Sequence, residues 1–233
     1  MNPIRRIKDL RHRIFYSLIT SKRFDIQTYG NECAWTIAPT GFSSASVVYS
    51  AGVGGDISFE KELIKEFACE VFLFDPSPTG RFTMEKPENR HPKLRYQACG
   101  LSNVDGDIFL RAPENAAKQS SYFKSNGESG IAFPCLSLPT LMKMNGHTYI
   151  DLLKMDIEGF EYGVLDAICD LELPVLQICV EFHHSIVPGI PRSQTTRAIF
   201  RLLRSGYRLI YTKDWDHTFQ RRILPRGSQL ADN

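Results

Sequence analysis

Two short strings in this chain end in side chains able to move a proton or hold a metal ion. They are "LLKMDIEGFE", with Asp156 and Glu158, and "VEFHH", with Glu181, His183 and His184. In extended chain, residues two apart point the same way, so Asp156 faces with Glu158 and Glu181 faces with His183. If the two strands are neighbours, the pairs converge at one end of a sheet. Such a set suits removal of a proton from an alcohol: a histidine with a pKa near about 6.5 accepts a proton at neutral pH, and a carboxylate orients it. Asp156, Glu181 and His183 also suit a divalent cation such as Mg, Mn or Fe, which would acidify a bound hydroxyl. Spacing alone does not choose between base and metal ligand. Taken singly, each residue has an ordinary structural explanation: Glu158 caps the next helix, Glu161 is solvated, and one histidine is a hydrogen-bonded structural residue. Lys154, inside an otherwise apolar strand, is either exposed or paired with one of these carboxylates.

A second constellation lies in "VVYSAGVGGDISFEKEL", where Gly52, Gly54 and Gly55 follow a short apolar run and precede a helical pattern. Lack of a β-carbon lets such a turn come close to a ligand. A dinucleotide fingerprint would need a further glycine where Ile57 stands, and Asp56 would repel a diphosphate at the helix N-terminus. Asp56 would instead accept hydrogen bonds from a ligand ammonium, unless it is an ordinary N-cap of the helix from Ile57; the two roles are compatible. Asp75, ending "FLFDP", follows the glycine turn by about 20 residues, the spacing at which an acid reaches both hydroxyls of a ribose. A ligand with a ribose, a cationic amino-acid arm and no phosphate is S-adenosylmethionine. The alternatives are a nicotinamide-dependent oxidoreductase on a related sheet and a non-catalytic S-adenosylmethionine-binding module.

The elements that must position these residues read as strands alternating with helices from Val47 onward, an α/β pattern of strands wound with crossover helices. Expected strands are "VVYSAG", "CEVFLFDP", "KLRYQACGL", "YIDLLKMDI" and "VLQICVEF". Helices are expected in "ISFEKELIKEFA", "EGFEYGVLDAICD" and "SQTTRAIFRLLRSG", the last capped by Gly206. "YRLIYTKDWDHTFQRRIL" reads as two strands and a turn, so an antiparallel pair finishes the sheet. Residues 47–233 form one domain. Residues 1–46 form an N-terminal amphipathic helix, with Ile4, Ile7, Leu10, Ile14 and Leu18 at helical intervals, and a connector. That helix packs on its own domain, pairs two subunits as a homodimer, or lies on a membrane surface. The loop "HHSIVPGIPRSQ" is expected to cover the acceptor.

The chain has 233 residues, 42% of them hydrophobic, and a net charge of +2 with mixed signs. One substantial core is possible, and the concentrated basic face that nucleic acid requires is missing. None of the six cysteines stands in a CxxC pair, which fits a reducing, cytoplasmic location. No run reaches the roughly 18 apolar residues of a transmembrane segment.

In order along the chain, "VVYSAGVGGDISFE", "FLFDPSP", "LSNVDGDIFL", "DLLKMDIEGFEYGVL" and "CVEFHH" resemble the FkbM family of S-adenosylmethionine-dependent methyltransferases. The resemblance runs from about Val47 to the last strands, and "KMDIEGFE" is its most specific part. It implies a class I methyltransferase (Rossmann-like) three-layer fold, with a seven-stranded, mostly parallel sheet and an antiparallel last hairpin. It also implies O-methylation of a hydroxyl on a small-molecule or glycan acceptor, such as a sugar, a glycan precursor or a secondary metabolite. By the same likeness the cofactor lies over Ser50, Gly52, Gly54 and Asp56, with Asp75 at the ribose and Leu101 and Ser102 near the adenine. Asp156, Glu158 and Glu181 surround the reacting centre. Two departures stand out. No acid precedes the glycine turn, so Ser50 or Asp56 serves that end of the cofactor, and "LSLPTLM" stands where relatives often show a threonine-leucine-aspartate run.

Overall fold

The computed structural model describes residues 15–111, 123–124 and 130–221. A short hairpin opens it, β1 (Gln27–Tyr29) against β2 (Trp35–Ile37), and the wound part follows as β3 (Val47–Ala51), α1 (Ser58–Phe67), β4 (Glu70–Phe74) and α2 (Pro78–Glu85). Next come β5 (Leu94–Gln97), β6 (Gly100–Ser102), β7 (Gly106–Arg111), β8 (Phe123–Lys124), β9 (Ile131–Ser137) and α3 (Leu138–Asn145). The chain closes with β10 (Ile150–Met155), α4 (Glu161–Asp170), β11 (Val175–Glu181), α5 (Arg192–Arg204), β12 (Tyr207–Lys213) and β13 (Asp216–Arg221).

Seven strands form one sheet in the order β12-β13-β11-β10-β3-β4-β5. The run β11-β10-β3-β4-β5 is parallel, while β13 runs antiparallel to both β11 and β12. This is the class I methyltransferase architecture, reversed last hairpin included. Chain order reverses between β3 and β10, and in an open α/β sheet ligands sit outside the carboxyl ends of the strands at that point.

Strand periodicity sends alternate side chains into two cores. On one face Tyr49, Phe72, Phe74, Leu153, Met155, Ile178 and Val180 pack with apolar residues of α3, α4 and α5. On the other, Val48, Val71, Leu73, Leu152 and Cys179 pack with Phe59, Leu63 and Ile64 of α1 and with Tyr29, Trp35 and Ile37 of the opening hairpin. Gln177 ties that hairpin to the sheet, accepting from the Ala38 amide at 2.8 Å and donating to its carbonyl at 3.0 Å. The connector before Val47 is thereby held against β11.

Most of the expected N-terminal helix lies outside the described residues. Its last turn, residues 15–19, is helical and docks by a 2.9 Å hydrogen bond between the Tyr16 hydroxyl and His217. The single expected strand "KLRYQACGL" is two: β5 belongs to the main sheet, and β6 pairs with β9 in a separate four-stranded sheet. Two helices lie where none is expected. Both carry a proline in the first turn, Pro78 directly after the N-cap Ser77 and Pro139 as the second residue of α3. Proline at a helix start gives up only an amide that has no intrahelical partner.

Candidate active site at the strand ends

A cavity of about 190 Å³ opens at the switch point, walled by the glycine turn, the end of β4, the start of β6 and the turn after β10. A larger groove of about 750 Å³ lies by Arg81, His91 and Tyr96, beside the edge strand β5, but none of the converging strand-end residues lines it. Chemistry, not volume, singles out the smaller cavity.

The glycine turn is shaped by contact with the end of β10. Gly52 has φ +87°, and a β-carbon on it would lie 1.9 Å from the Asp156 carbonyl oxygen. The Asp156 amide in turn donates to the Ala51 carbonyl at 3.0 Å. Lys154 points from β10 into this crossing, donates to the Gly52 carbonyl and lies 5.5 Å from the centre of the Trp35 ring. It is buried, and its ammonium makes this backbone contact in place of the expected carboxylate pairing.

The two acids of the turn are bound to backbone. Asp75, itself buried, accepts from the amides of Val53 at 2.9 Å and Gly54 at 3.2 Å through one oxygen, and from Ser77 at 2.7 Å through the other. Its carboxylate lines the cavity wall, and a β-carbon on Gly80 would strike it at 2.4 Å. Among the described residues these contacts take three of roughly four acceptor sites, leaving one for a ligand hydroxyl.

Asp56 departs from its expected place. It accepts from the Ser58 amide at 2.9 Å, the Ser58 hydroxyl at 2.7 Å and the Cys33 amide at 3.0 Å, and it faces a separate surface pocket. Burial opposes its charge, but these hydrogen bonds outweigh burial and hold the carboxyl below its ordinary pKa. The N-cap of the helix is Ile57, without a side-chain cap, and Asp56 instead braces the helix start against the Cys33 backbone. Ser50 departs as well: it is fully buried and donates to Glu60 at 2.5 Å, beneath the turn rather than in the cavity. Of the expected adenine pair, Leu101 lines the cavity, whereas Ser102 is buried and accepts from the Val104 amide at 3.2 Å.

The strand-end residues do come together. β10 and β11 are parallel neighbours with Met155 opposite Val180, so Asp156 and Glu181 leave adjacent strands side by side. His183 Nε2 lies 3.4 Å from Asp156 Oδ1 and 3.4 Å from Glu158 Oε2. Glu158 gets there through a left-handed turn, with φ +51° at Glu158 and +104° at Gly159, before α4 begins. Asp156 and Glu158 both line the cavity.

Glu161 is the residue that sequence reasoning missed. Expected to be solvated, it is fully buried: Oε1 accepts from the His183 amide at 2.9 Å and faces Nδ1 at 3.4 Å, while Oε2 accepts from the Gly159 amide at 2.8 Å. One carboxylate thus fixes both the turn and the imidazole. A weak signal existed in the sequence, since Glu161 lies three residues after Glu158 and α4 is otherwise apolar on the same side.

Charges in this cluster are strongly coupled. Burial works against a charged His183, but hydrogen bonds to Asp156 and Glu161 and the charges of Glu161 and Glu158 outweigh it and push its pKa up to about 11. Burial also opposes the charge on Asp156, yet His183 and Lys154 keep its carboxyl below the usual value. Burial, then the Asp156 charge, raise Glu181 to about 7, and the same two causes raise Asp216, its partner on β13, to about 6. With no ion bound, His183 is therefore a proton holder, and Glu181 is the carboxylate poised to exchange a proton near neutrality.

The methyltransferase FkbM domain matches residues 59–209, well over half of the chain. The chain belongs to the FkbM methyltransferase family. A Rattus norvegicus protein named "Probable methyltransferase-like protein 24" is 24% identical over 183 residues, or 77% of this chain and 44% of that protein. The chain thus spans less than half the length of that relative. Among solved structures, a methyltransferase from Pyrococcus furiosus aligns with TM-score 0.36 and 13% identity over 91% of this chain and 96% of that one. M. jannaschii TYW2 in complex with AdoMet aligns with TM-score 0.35 and 11% identity, over 87% and 89%. At such scores the fold rests on strand order and family membership. The family is one of S-adenosylmethionine-dependent methyltransferases, and the oxidoreductase alternative has no support in it. All six cysteines are free, and among the described residues no helix is long and apolar enough to cross a membrane.

Proposed function

We propose that this chain is an S-adenosylmethionine-dependent O-methyltransferase acting on a hydroxyl of a sugar, glycan precursor or secondary metabolite. The observation that carries the reading is the meeting of Asp156, Glu158, Glu181 and His183 at two adjacent strand ends beside the cavity. Bound S-adenosylmethionine would supply a methyl group on a cationic sulfonium for transfer to the acceptor oxygen, with a neutral thioether as the leaving group.

The chain's own residues have three tasks in this reading. Gly52, Gly54 and the apolar walls at Phe74, Leu101 and Phe160 admit the cofactor, and the spare acceptor site of Asp75 takes a ribose hydroxyl. Asp156 and Glu158 line the cavity, and with Asp56 turned away they are the carboxylates that face a cationic ligand there. Glu181 takes the acceptor's proton as the oxygen attacks, so that the alcohol does not become a protonated ether. The pocket wall provides alignment, the main demand of an in-line displacement. A divalent cation fits the donor chemistry of the same strand ends and would acidify the acceptor hydroxyl. Its expected set of Asp156, Glu181 and His183 gives way to Asp156, Glu158 and His183, whose donor atoms lie within 4.8 Å of one another.

Free thiols at every cysteine support a reducing, cytoplasmic setting. Equilibrium dialysis with labelled S-adenosylmethionine, followed by transfer of the label to a panel of hydroxyl compounds, tests the reading. Binding and label in an ether-linked methyl group are expected; absence of binding at millimolar ligand rejects it.

A further inference from the structure

His183 Nε2 is shared between two carboxylates and closes onto neither. A charge-assisted N–H···O contact closes to about 2.7–2.9 Å, whereas His183 Nε2 stands 3.4 Å from both Asp156 Oδ1 and Glu158 Oε2. Two ligands bound at about 2.1 Å to one ion lie about 3.0 Å apart at a right angle and about 3.4 Å apart at a tetrahedral one. The observed separations match the second case. We propose that Asp156, Glu158 and His183 form a site for one first-row divalent cation, bound in preference to Mg2+ and Ca2+, with Glu161 as the carboxylate that orients the imidazole. This deepens the methyltransferase reading and rests on it for the cation's purpose.

Three further observations support it. The Glu161 carboxylate facing Nδ1 accepts, so Nδ1 keeps a proton, and a cation at Nε2 would replace the proton that His183 shares with Asp156 and Glu158. A buried carboxylate behind a histidine is the usual support of a metal-bound imidazole. Glu158 takes up φ +51°, a conformation a non-glycine residue adopts at a cost, and that turn is what brings its carboxylate to His183. Finally, the Asp156 and Glu158 side chains keep 33% and 19% of their exposure while His183 keeps 4%, so the set is closed behind and open toward the cavity. The imidazole sets the metal class, because nitrogen donors favour first-row transition ions over the hard, oxygen-seeking Mg2+ and Ca2+.

Mn2+ is the probe. The full chain, free of S-adenosylmethionine, is titrated with Mn2+, and the free-ion signal is followed by electron paramagnetic resonance, with Mg2+ as competitor. One site per chain is expected, with Mg2+ displacing Mn2+ only at a large excess. Glu158→Gln and His183→Gln should each abolish measurable binding, and Glu161→Gln should weaken it about 10–100-fold. Dialysis against labelled S-adenosylmethionine is run on every variant to report a folded cavity. Cofactor binding without Mn2+ binding in the native chain overturns the cation and leaves the methyltransferase reading standing. Mn2+ binding without cofactor binding does the reverse. Equal Mn2+ affinity in the native chain and in a cofactor-binding Glu158→Gln or His183→Gln variant also overturns the site.

Discussion

The glycine turn and the strand-end cluster each bring carboxylate to one cavity, Asp75 from the turn and Asp156 and Glu158 from the strand ends, yet the two regions use their acids in opposite ways. At the turn, Asp56 and Asp75 accept from backbone amides, some two residues away and some more than 20, through contacts of 2.7–3.2 Å. At the strand ends, Asp156 and Glu158 face an imidazole at 3.4 Å, and Glu181 is raised to about 7 by burial and a neighbouring charge. Acids of the first kind build the pocket, because a ligand would have to replace a short hydrogen bond to reach them. Acids of the second kind face other side chains at longer range, so a ligand, proton or ion can enter without unfolding anything. The same residue type is scaffold in one region and reagent in the other, and the difference is whether the partner is a backbone amide or a side chain.

The largest effect should fall on Glu181. Glu181→Gln preserves shape and removes the proton acceptor, so kcat should fall about 10²–10⁴-fold while S-adenosylmethionine affinity and melting temperature stay near those of the native chain. Loss of stability in place of rate would move Glu181 to the scaffold side of the comparison. Stopped assays beside calorimetric melts separate the two.

Gly52→Ala tests the other region. Its β-carbon cannot coexist with the Asp156 carbonyl at 1.9 Å, and φ +87° is strained for any residue with one. Destabilisation of more than about 3 kcal/mol is expected, since either the turn or the end of β10 must shift. A chemical-denaturation midpoint lowered with unchanged slope is the signature. Little change in the midpoint would mean that the two strand ends are not in contact.

How far the sequence foretold this division depends on the range of the interaction. Placement at the ends of two strands expected to be neighbours made the convergence of Asp156, Glu158, Glu181 and His183 readable before any coordinates, although Glu158 arrives by a left-handed turn and not by extended-chain facing. The wound sheet and its reversed hairpin were readable too, because those signals are local patterns repeated along the chain. Glu161 was not: a glutamate in the first turn of a helix is ordinarily a solvated partner of the helix dipole, and only the left-handed turn at Glu158 and Gly159 folds it inward. Pro78 and Pro139 hid α2 and α3 because proline reads as a breaker until its place at the helix start is known. Asp56 had two compatible roles in sequence, and the position of Cys33, 23 residues earlier, set it to bracing the helix start instead.

Asp75 is the intermediate case, since it is held by backbone and lines the cavity. Asp75→Ala should release the Val53, Gly54 and Ser77 amides, with a cost of about 1–3 kcal/mol in stability. It should also weaken S-adenosylmethionine binding, measured by dialysis, through the lost ribose contact. Stability lost with cofactor affinity unchanged would place Asp75 wholly with the scaffold and remove the one ligand contact assigned to the turn's acids.

The smallest effect belongs to Asp56, and its pH dependence has a definite sign. Hydrogen bonds from Ser58 and Cys33 hold the folded-state carboxyl below its ordinary pKa. Its stabilisation is therefore fully present above the unfolded carboxylate pKa of about 3.9 and is lost as pH falls through the lower, folded value. Asp56→Ala should cost about 1 kcal/mol at neutral pH, the ordinary magnitude for lost side-chain hydrogen bonds. Urea melts at a series of pH values should show the native and variant curves converging at acid pH, with cofactor affinity equal throughout. A variant that keeps its stability but loses cofactor affinity would return Asp56 to the ligand and erase the contrast between the two regions, because an acid bonded to backbone would then be serving as reagent.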